Sequence, residues 1–309
     1  MKTLFGLFLS LIIAGSALAQ DASDKQMTTT RSAATDDYTP RDIFNVYSSY
    51  VFGSDLEFDA DDDGDNFTFG EQDAFQSGIN YSHRFLISGR IFLRAGFGYQ
   101  RFDFGTTGAP VPSHLQGASA LVALEYMVGK DVGAFLQVEP GFYTENDFDR
   151  HSFDVPITLG RVFVLQPGRT FLFVGANAAF LRGELPVLPI VGLRWRPNTQ
   201  WTLDLILPQP RLIYSPNESF DLWVGGQLTG GSFRTDRDDN IFPRRLDGAQ
   251  VDYSEYRGGL GFTWRASKEI ALDVGGGYAF QRRFNFERAD FEFQSDPAPY
   301  VRVSLRAQF

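Results

Sequence analysis

The segment APYVRVSLRAQF, residues 298–309, alternates between two kinds of side chain. Between its apolar residues stand mostly polar ones, and Arg302 and Arg306 among these carry positive charge. Because successive side chains of a β-strand point to opposite faces, this alternation predicts a strand with one apolar and one wet face. The apolar set comprises Val301, Val303, Leu305, Ala307 and Phe309.

A final strand that stops on Phe309 resembles the closing strand of bacterial outer-membrane β-barrels. In that class of proteins, the membrane-assembly machinery recognises the terminal aromatic strand, which also closes the barrel. The resemblance implies an all-β fold, a transmembrane antiparallel up-and-down β-barrel. It also implies Phe309 as an assembly signal, with the barrel-assembly machinery and outer-membrane lipid as partners.

Composition supports a membrane β-barrel and excludes several other classes. The 309 residues include 28 Lys and Arg against 38 Asp and Glu, and this acidic balance argues against a nucleic-acid partner. Cysteine is absent, so the chain has neither disulfides nor thiolate metal ligands. Aromatic residues make up 15% of the chain, which suits strands that face lipid on one side and water on the other. A soluble β-sandwich is the competing interpretation.

The amino-terminal region predicts export. Residues 1–19 combine Lys2, an apolar run and the sequence Ala-Leu-Ala, as a cleaved signal peptide does. Residues 20–41 are polar without periodicity, which predicts a flexible periplasmic lead. We therefore expect Sec-type export, a barrel domain over 42–309, and a location in the outer membrane of a Gram-negative-type bacterium.

Alternating segments recur along the whole domain, and they predict about 14 strands. Twelve strands is the alternative if 200–215 is not divided at Pro208-Gln209-Pro210, where prolines cannot donate to a central ladder. The predicted strands are 43–58, 71–84, 90–105, 115–128, 132–147, 152–165, 170–183, 188–196, 200–207, 210–215, 219–234, 250–265, 269–286 and 298–309.

The connections between these segments predict which end faces which compartment. Short turns fall on one side of the barrel, and the longer loops 59–70, 106–114, 235–249 and 287–297 fall on the other. Outer-membrane barrels place short turns in the periplasm and long loops outside.

One acidic loop is a candidate site for Ca²⁺, and Ca²⁺ is the single cofactor that the sequence suggests. Asp59, Asp61 and Asp63 occupy positions 1, 3 and 5 of an EF-hand-like loop, and Gly64 occupies position 6. Position 12, where a bidentate glutamate belongs, is Gly70. We interpret this loop as a solvated acidic turn without a cofactor, and the Ca²⁺ site is the alternative.

The three histidines are the residues on which an enzyme would depend. His83, His114 and His151 each adjoin a serine in sequence, and some outer-membrane barrels are lipid hydrolases with a serine nucleophile and a histidine base. Neighbouring residues of a strand point to opposite faces, so none of these pairs forms a dyad by itself. We expect no catalytic residue and interpret the histidines as rim residues.

Charged residues on the wet faces of the strands are predicted to line the lumen. Ion pairing among them would fill the interior, whereas a narrow water path between them would set ion selectivity. These residues are Arg94, Glu125, Glu139, Arg194, Arg196, Asp204, Asp221, Glu255, Arg257, Asp273, Arg283, Arg302 and Arg306. An aromatic girdle at the membrane interfaces is predicted from Trp195, Trp201, Trp264, Tyr278 and Tyr300.

The second half of the chain resembles an uncharacterised family of bacterial outer-membrane β-barrels, a domain of unknown function. The likeness rests on PIVGLRWRPN (189–198), WTLDL (201–205), PQPR (208–211) and the stretch from Gly277-Tyr278 to Arg282-Arg283. It implies no reaction and no catalytic residue. We expect a narrow passive channel for small solutes or a structural surface protein. The alternative is a barrel enzyme that hydrolyses or modifies outer-membrane lipid.

Overall fold

The structure is a computed structural model, and it describes residues 40–58, 67–128, 131–183, 186–237, 246, 248–286 and 289–309. The predicted signal peptide (1–19) and most of the predicted lead (20–41) lie outside these ranges, as do Asp59, Asp61 and Asp63. Within the described residues, no helix is long and apolar enough to cross a membrane.

The described chain folds into one closed antiparallel β-barrel of 14 strands, which confirms the predicted count. Three barrel strands are each interrupted once, so they appear as the pairs β5/β6, β7/β8 and β16/β17. The segments are β1 (Asp42–Phe58), β2 (Phe67–Ser88), β3 (Ile91–Phe104), β4 (His114–Val128), β5 (Asp131–Val138), β6 (Gly141–Thr144), β7 (Phe153–Asp154), β8 (Ile157–Gln166), β9 (Thr170–Ala178), β10 (Val187–Trp195), β11 (Trp201–Asp204), β12 (Arg211–Asn217), β13 (Phe220–Arg234), β14 (Gln250–Arg265), β15 (Ile270–Phe286), β16 (Phe291–Ser295) and β17 (Ala298–Gln308).

The last strand closes the ring against the first. β17 pairs with β1 in antiparallel register from Ile43 opposite Gln308 to Val51 opposite Tyr300. At the seam, Phe309 donates its backbone N–H to the Asp42 carbonyl at 2.9 Å and accepts the Asp42 N–H at 2.9 Å. Each barrel strand therefore has a partner on both sides, which removes the open edge that an isolated sheet would expose.

The outer surface of the barrel is apolar, as the alternation of its strands predicts. On β17, Val301, Val303 and Leu305 are 43 to 51% exposed, while the residues between them are half-buried. The same exposure of large apolar side chains recurs on the neighbouring strands, for example at Leu260 and Phe280. A continuous apolar surface of this extent suits contact with lipid.

The two ends of the barrel differ in the length of their connections. At one end, named the turn end, the β2–β3, β8–β9 and β12–β13 connections span only 89–90, 167–169 and 218–219. At the opposite end, named the loop end, 105–113 and 145–152 join β3 to β4 and β6 to β7. The half of the barrel nearest the turn end is called the turn half, and the remainder is called the loop half.

Two local features depart from the sequence pattern. The predicted loop 287–297 is wrong, because Phe291–Ser295 forms β16, which pairs with both β15 and β1. A β-bulge places Phe280 between the β15 residues paired with Tyr256 and Arg257. The extra residue reverses which side chains face inward beyond it.

Candidate functional site

The barrel interior holds most of the ionisable side chains that the sequence predicts there. Nine of the thirteen residues predicted to line the lumen are buried, and Arg196, Arg283, Arg302 and Arg306 are half-buried. In a single-layered barrel with an apolar exterior, burial of these side chains places them on the inner wall. The nine are Arg94, Glu125, Glu139, Arg194, Asp204, Asp221, Glu255, Arg257 and Asp273.

Asp273 of β15 is the centre of the largest polar network in the turn half. Its Oδ1 accepts a hydrogen bond from Arg302 at 2.6 Å. Its Oδ2 accepts from Thr263 at 2.7 Å, from the Trp223 indole at 2.9 Å and from Arg211 at 3.3 Å. Four donors from four strands thus offset the cost of burying one carboxylate.

Two guanidinium groups lie over the indole ring of Trp223. Arg211 sits 4.2 Å from the ring centroid and Arg302 sits 5.4 Å from it. Glycines on the two following strands make room for the ring, because a Cβ on Gly261 or Gly275 would lie about 2.5 Å from its carbons. The glycine repeats therefore shape a slot for an interior side chain.

A second turn-half network joins β2, β3 and β4. Arg94 donates to Glu125 Oε1 at 2.7 Å, and Arg84 lies 2.6 Å from Glu125 Oε2. Arg94 also donates to Ser82 at 3.2 Å. The contacts of this network and of the Asp273 network each keep to neighbouring strands of one wall.

Arginine dominates the turn half. Among the strand residues with described side chains, the inward-facing charges there carry a formal net charge of +3. We name this set the turn-half charges. It contains seven arginines and four carboxylates: Arg84, Arg94, Arg194, Arg211, Arg265, Arg302, Arg306, Glu125, Asp204, Asp221 and Asp273.

Contacts of a different kind cross the interior at mid-height. Arg257 of β14 donates to Ser49 of β1 at 2.8 Å and to Gln76 of β2 at 3.4 Å. Glu255 holds the same guanidinium through bonds of 2.9 and 2.8 Å. Gln76 in turn donates to Thr229 of β13 at 3.1 Å. Because β15 and β17 separate β14 from β1 around the ring, these bonds join walls that the sheet does not pair.

Aromatic side chains fill much of the loop half. Phe102 and Phe104 of β3 each lie 5.0 Å from the Tyr253 ring of β14, centroid to centroid. Phe102 also contacts Phe233 at 6.0 Å, and Phe104 contacts Phe284 at 4.8 Å. Most of these pairs are edge-to-face, an arrangement that aromatic rings favour. Four strands separate β3 from β14 by the shorter route around the ring, so opposite walls meet here.

A set of hydrogen bonds between 144–147 and 234–236, named the clasp, joins opposite walls at the loop end. Glu145 donates its backbone N–H to the Arg234 carbonyl at 3.0 Å. The Asp236 carboxylate accepts the backbone N–H groups of Asn146 at 3.1 Å and Asp147 at 2.9 Å. The clasp narrows the loop end because it draws β6 and β13 together.

Segment 179–183, between β9 and β10, extends the closure. Its backbone N–H groups at Phe180 and Leu181 donate to the Asp154 carboxylate at 3.0 and 3.1 Å. Gly183 donates to Asp252 of β14 at 3.3 Å. The segment thus connects two regions of the barrel rim.

Arg182 within this segment is buried against Asn177, whose side-chain oxygen it contacts at 2.5 Å. Burial lowers the pKa of Arg182 to about 10, although the nearby carboxylates of Asp252 and Asp154 oppose the shift. The guanidinium therefore stays charged at neutral pH. Together with the clasp and the aromatic contacts, it fills part of the interior of the loop half.

Several residues were assigned from the sequence to the wrong face of the barrel wall or were not placed in the interior. Arg283 was expected to face inward, but the bulge at Phe280 makes Arg282 the buried residue, and Arg283 pairs with Glu292. Tyr300 was expected in an aromatic girdle, and it is instead 3% exposed. Arg84, Arg182 and Arg211 were also missed. Their positions depend on contacts with distant strands, although the inward parity of Arg84 was readable from its neighbour Ser82.

The remaining girdle residues lie where the pattern placed them. Trp195, Trp201 and Trp264 are exposed at the turn end, and Tyr278 is exposed on the outer face. The height of the three tryptophans suits a membrane interface, whereas Tyr278 lies near the middle of β15. The candidate Ca²⁺ ligands Asp59, Asp61 and Asp63 lie outside the described residues.

The histidines do not assemble a catalytic set. His83 Nδ1 lies 2.7 Å from Asp42, His114 Nδ1 lies 3.1 Å from Ser113, and His151 Nδ1 lies 3.3 Å from Arg237. Among the described residues, no imidazole has both a hydroxyl and a carboxylate within hydrogen-bond distance. A Ser-His-Asp triad uses both partners.

Three solved structures illustrate the likeness to known barrels. An outer membrane channel from Pseudomonas putida F1 is 10% identical, with 89% of this chain and 98% of that chain covered and a TM-score of 0.47. The TodX deltaS2S3 mutant, a monoaromatic hydrocarbon channel whose parent is from Pseudomonas putida, is 10% identical over 88% and 91%, with a TM-score of 0.47. The Escherichia coli outer membrane protease OmpT is 10% identical over 89% and 99%, with a TM-score of 0.28.

A family assignment comes from sequence. No curated protein matches the chain. Residues 134–308, more than half of the chain, match a family of uncharacterised proteins. This range contains the segments in which the resemblance to an uncharacterised barrel family was recognised. The chain belongs to the family described as Domain of unknown function (DUF6268).

Proposed function

We propose that the protein is a narrow passive channel of the bacterial outer membrane, with its turn end in the periplasm. One observation carries the proposal: an apolar exterior encloses an interior whose turn half is lined by charge. Lipid contact accounts for the exterior. Charged side chains that keep to the walls suit a water path, because such groups set the passage of ions and polar solutes.

The size of the barrel is consistent with a restricted path. About eight strands give an interior that side chains fill, and 16 to 18 strands give an open pore. Fourteen strands lie between these limits. The clasp and the aromatic contacts narrow the loop half further, so we expect small, gated conductance.

A protein in the proposed location would interact with two partners. Outer-membrane lipid would cover the apolar exterior, and the barrel-assembly machinery would recognise β17 with Phe309. The exposed Phe309 side chain supports this role, because it stays accessible beside the seam.

Current across planar bilayers that contain the purified full-length protein tests the channel. We expect discrete current steps. A reversible disulfide across the clasp provides a matched control. Thr144 and Arg234 are register partners, and the chain has no native cysteine that could interfere. A Thr144→Cys, Arg234→Cys protein should lose current when oxidised and regain it with reductant. Reductant should leave the wild-type current unchanged.

A structural surface protein is the second candidate. The opposite-wall contacts Phe104–Tyr253 and Arg257–Ser49 favour it, because they would hold the interior shut. The same experiment distinguishes the two. A folded barrel that passes no current, even after the clasp is weakened, would support the structural role and overturn the channel.

A further inference from the structure

Solvent reaches inward charges of both signs in the turn half, since the side chain of Arg302 is 10% exposed and that of Asp273 is 12% exposed, but arginines predominate. Three of the turn-half charges are half-buried rather than buried, and all three are arginines: Arg265, Arg302 and Arg306. The Arg265 side chain, at the turn end of β14, is 26% exposed, whereas that of its partner Asp221 is only 6% exposed. In this pair, the guanidinium is therefore more accessible from the turn end than the carboxylate.

The carboxylates of the turn half are already engaged. Asp273 accepts bonds from four side chains, and Glu125 is shared between Arg84 and Arg94. Each of these carboxylates is ion-paired with arginines of the barrel wall. Arginine keeps its charge at every physiological pH, so the excess of positive charge is permanent.

Arg84 is an independent indication that the turn half has more N–H donors than acceptors. Its Nε and one terminal nitrogen are buried and have no hydrogen-bond acceptor among the described residues. Its other terminal nitrogen pairs with Glu125, which also serves Arg94. Two guanidiniums therefore share one carboxylate on this wall, which leaves an excess of positive charge there.

The positive sign belongs to this region and not to the protein as a whole. The chain has a formal net charge of −10. In the loop half and its rim, the buried carboxylates Glu139, Glu145, Asp154 and Glu255 slightly outnumber the buried arginines. An accumulation of arginine at one end of an acidic protein attracts anions to that end.

We propose that the turn half is an anion-selective vestibule, and that the solutes of this channel are small anions, inorganic or organic. The proposal rests on the channel function proposed above and adds the sign of the solute. The accessible arginines Arg265, Arg302 and Arg306 are the residues that determine this selectivity.

The reversal potential under a potassium chloride gradient across a planar bilayer tests the proposal. The wild-type protein should favour chloride over potassium, with a permeability ratio above one. Arg265→Gln and Arg306→Gln together should lower this ratio towards one. Arg302 is left in place because it supports Asp273. Arg101→Gln is the matched control, since Arg101 lies near the loop end and pairs with Asp103 outside the turn half. It should keep the wild-type ratio.

Each other outcome of this experiment overturns a specific part of the proposal. A wild-type current that favours potassium, or neither ion, overturns the anion vestibule and leaves the channel intact. A wild-type preference for chloride that survives the double substitution overturns the assignment to these arginines. Absence of current overturns the channel and the vestibule together. Heat-modifiable migration in detergent gels establishes that each variant is folded.

Discussion

Glu145 donates its backbone N–H to the carbonyl of Arg234 at 3.0 Å, although five barrel strands separate β6 from β13 by the shorter route. In an open cylinder these two residues would face each other across the lumen. Their hydrogen bond shows that the wall is drawn inward at the loop end. The barrel thus combines a charged turn half with a loop half in which opposite walls are in contact.

Loss of the Asp236 carboxylate should open the loop end. Asp236→Ala removes the acceptor for two backbone N–H groups, worth about 0.5–1.5 kcal/mol each. A total of about 1–3 kcal/mol corresponds to a roughly 5- to 150-fold shift towards the open state. Single-channel recording measures the open fraction. Asp149→Ala is the control, because Asp149 accepts hydrogen bonds only from its own loop in the described contacts. Equal open fractions in both variants would contradict a gating role for the clasp.

Asp273 should be the most costly carboxylate to neutralise. Asp273→Asn leaves the charges of Arg211 and Arg302 without their shared partner, and loss of one partner of a buried ion pair costs about 3–5 kcal/mol. Urea unfolding of the refolded barrel in lipid measures the change in the free energy of unfolding. Asp103→Asn disrupts a half-exposed pair with Arg101 and should cost no more than about 1 kcal/mol. The prediction fails if the two substitutions cost the same.

The glycine slot for Trp223 predicts a position-specific effect of a single methyl group. Gly275→Ala would place a Cβ 2.5 Å from the indole, and overpacking of this kind costs about 1–3 kcal/mol. At Gly226 the nearest atoms lie 3.5 Å away, which is ordinary contact, so Gly226→Ala should change stability by less than about 0.5 kcal/mol. The same unfolding assay compares them. A stable Gly275→Ala barrel would show that the indole can leave its slot at little cost.

Phe309 should act in assembly before it acts in any transport. Phe309→Ala should lower the amount of heat-modifiable barrel recovered from the outer membrane, while Phe309→Tyr keeps an aromatic ring and should assemble normally. Fractionation of cells followed by unboiled gel electrophoresis measures both. Normal recovery of the alanine variant would remove the assembly role of this residue.

Strand alternation was sufficient to predict most of the fold. The expected segments 219–234 and 250–265 coincide closely with β13 and β14, because each strand faces lipid on one side and the interior on the other. That contrast between two environments produces a period of two in the sequence. The division of 200–215 into β11 and β12 also followed from local chemistry, namely the prolines at 208 and 210.

Local periodicity could not reveal how the interior is arranged. A one-residue bulge at Phe280 exchanges the roles of Arg282 and Arg283, and nothing in strict alternation marks such an insertion. Contacts such as Phe104 with Tyr253 join strands that are distant in sequence and not paired in the sheet. They depend on the shape of the closed barrel, which emerges only after all the strands have assembled.

Accessibility of single cysteines is the most direct test of the two-part interior, because the chain contains no native cysteine. Ser304→Cys would place a thiol on the turn-half wall, and Ala279→Cys would place one in the packed loop half, where Ala279 is 1% exposed. Each protein is reconstituted in lipid and treated with a charged, water-soluble maleimide. We predict rapid labelling at position 304 and protection at position 279 until Asp236→Ala is added. Equal labelling at the two positions, or protection at both, would contradict a barrel that is wide at the turn end and constricted at the loop end.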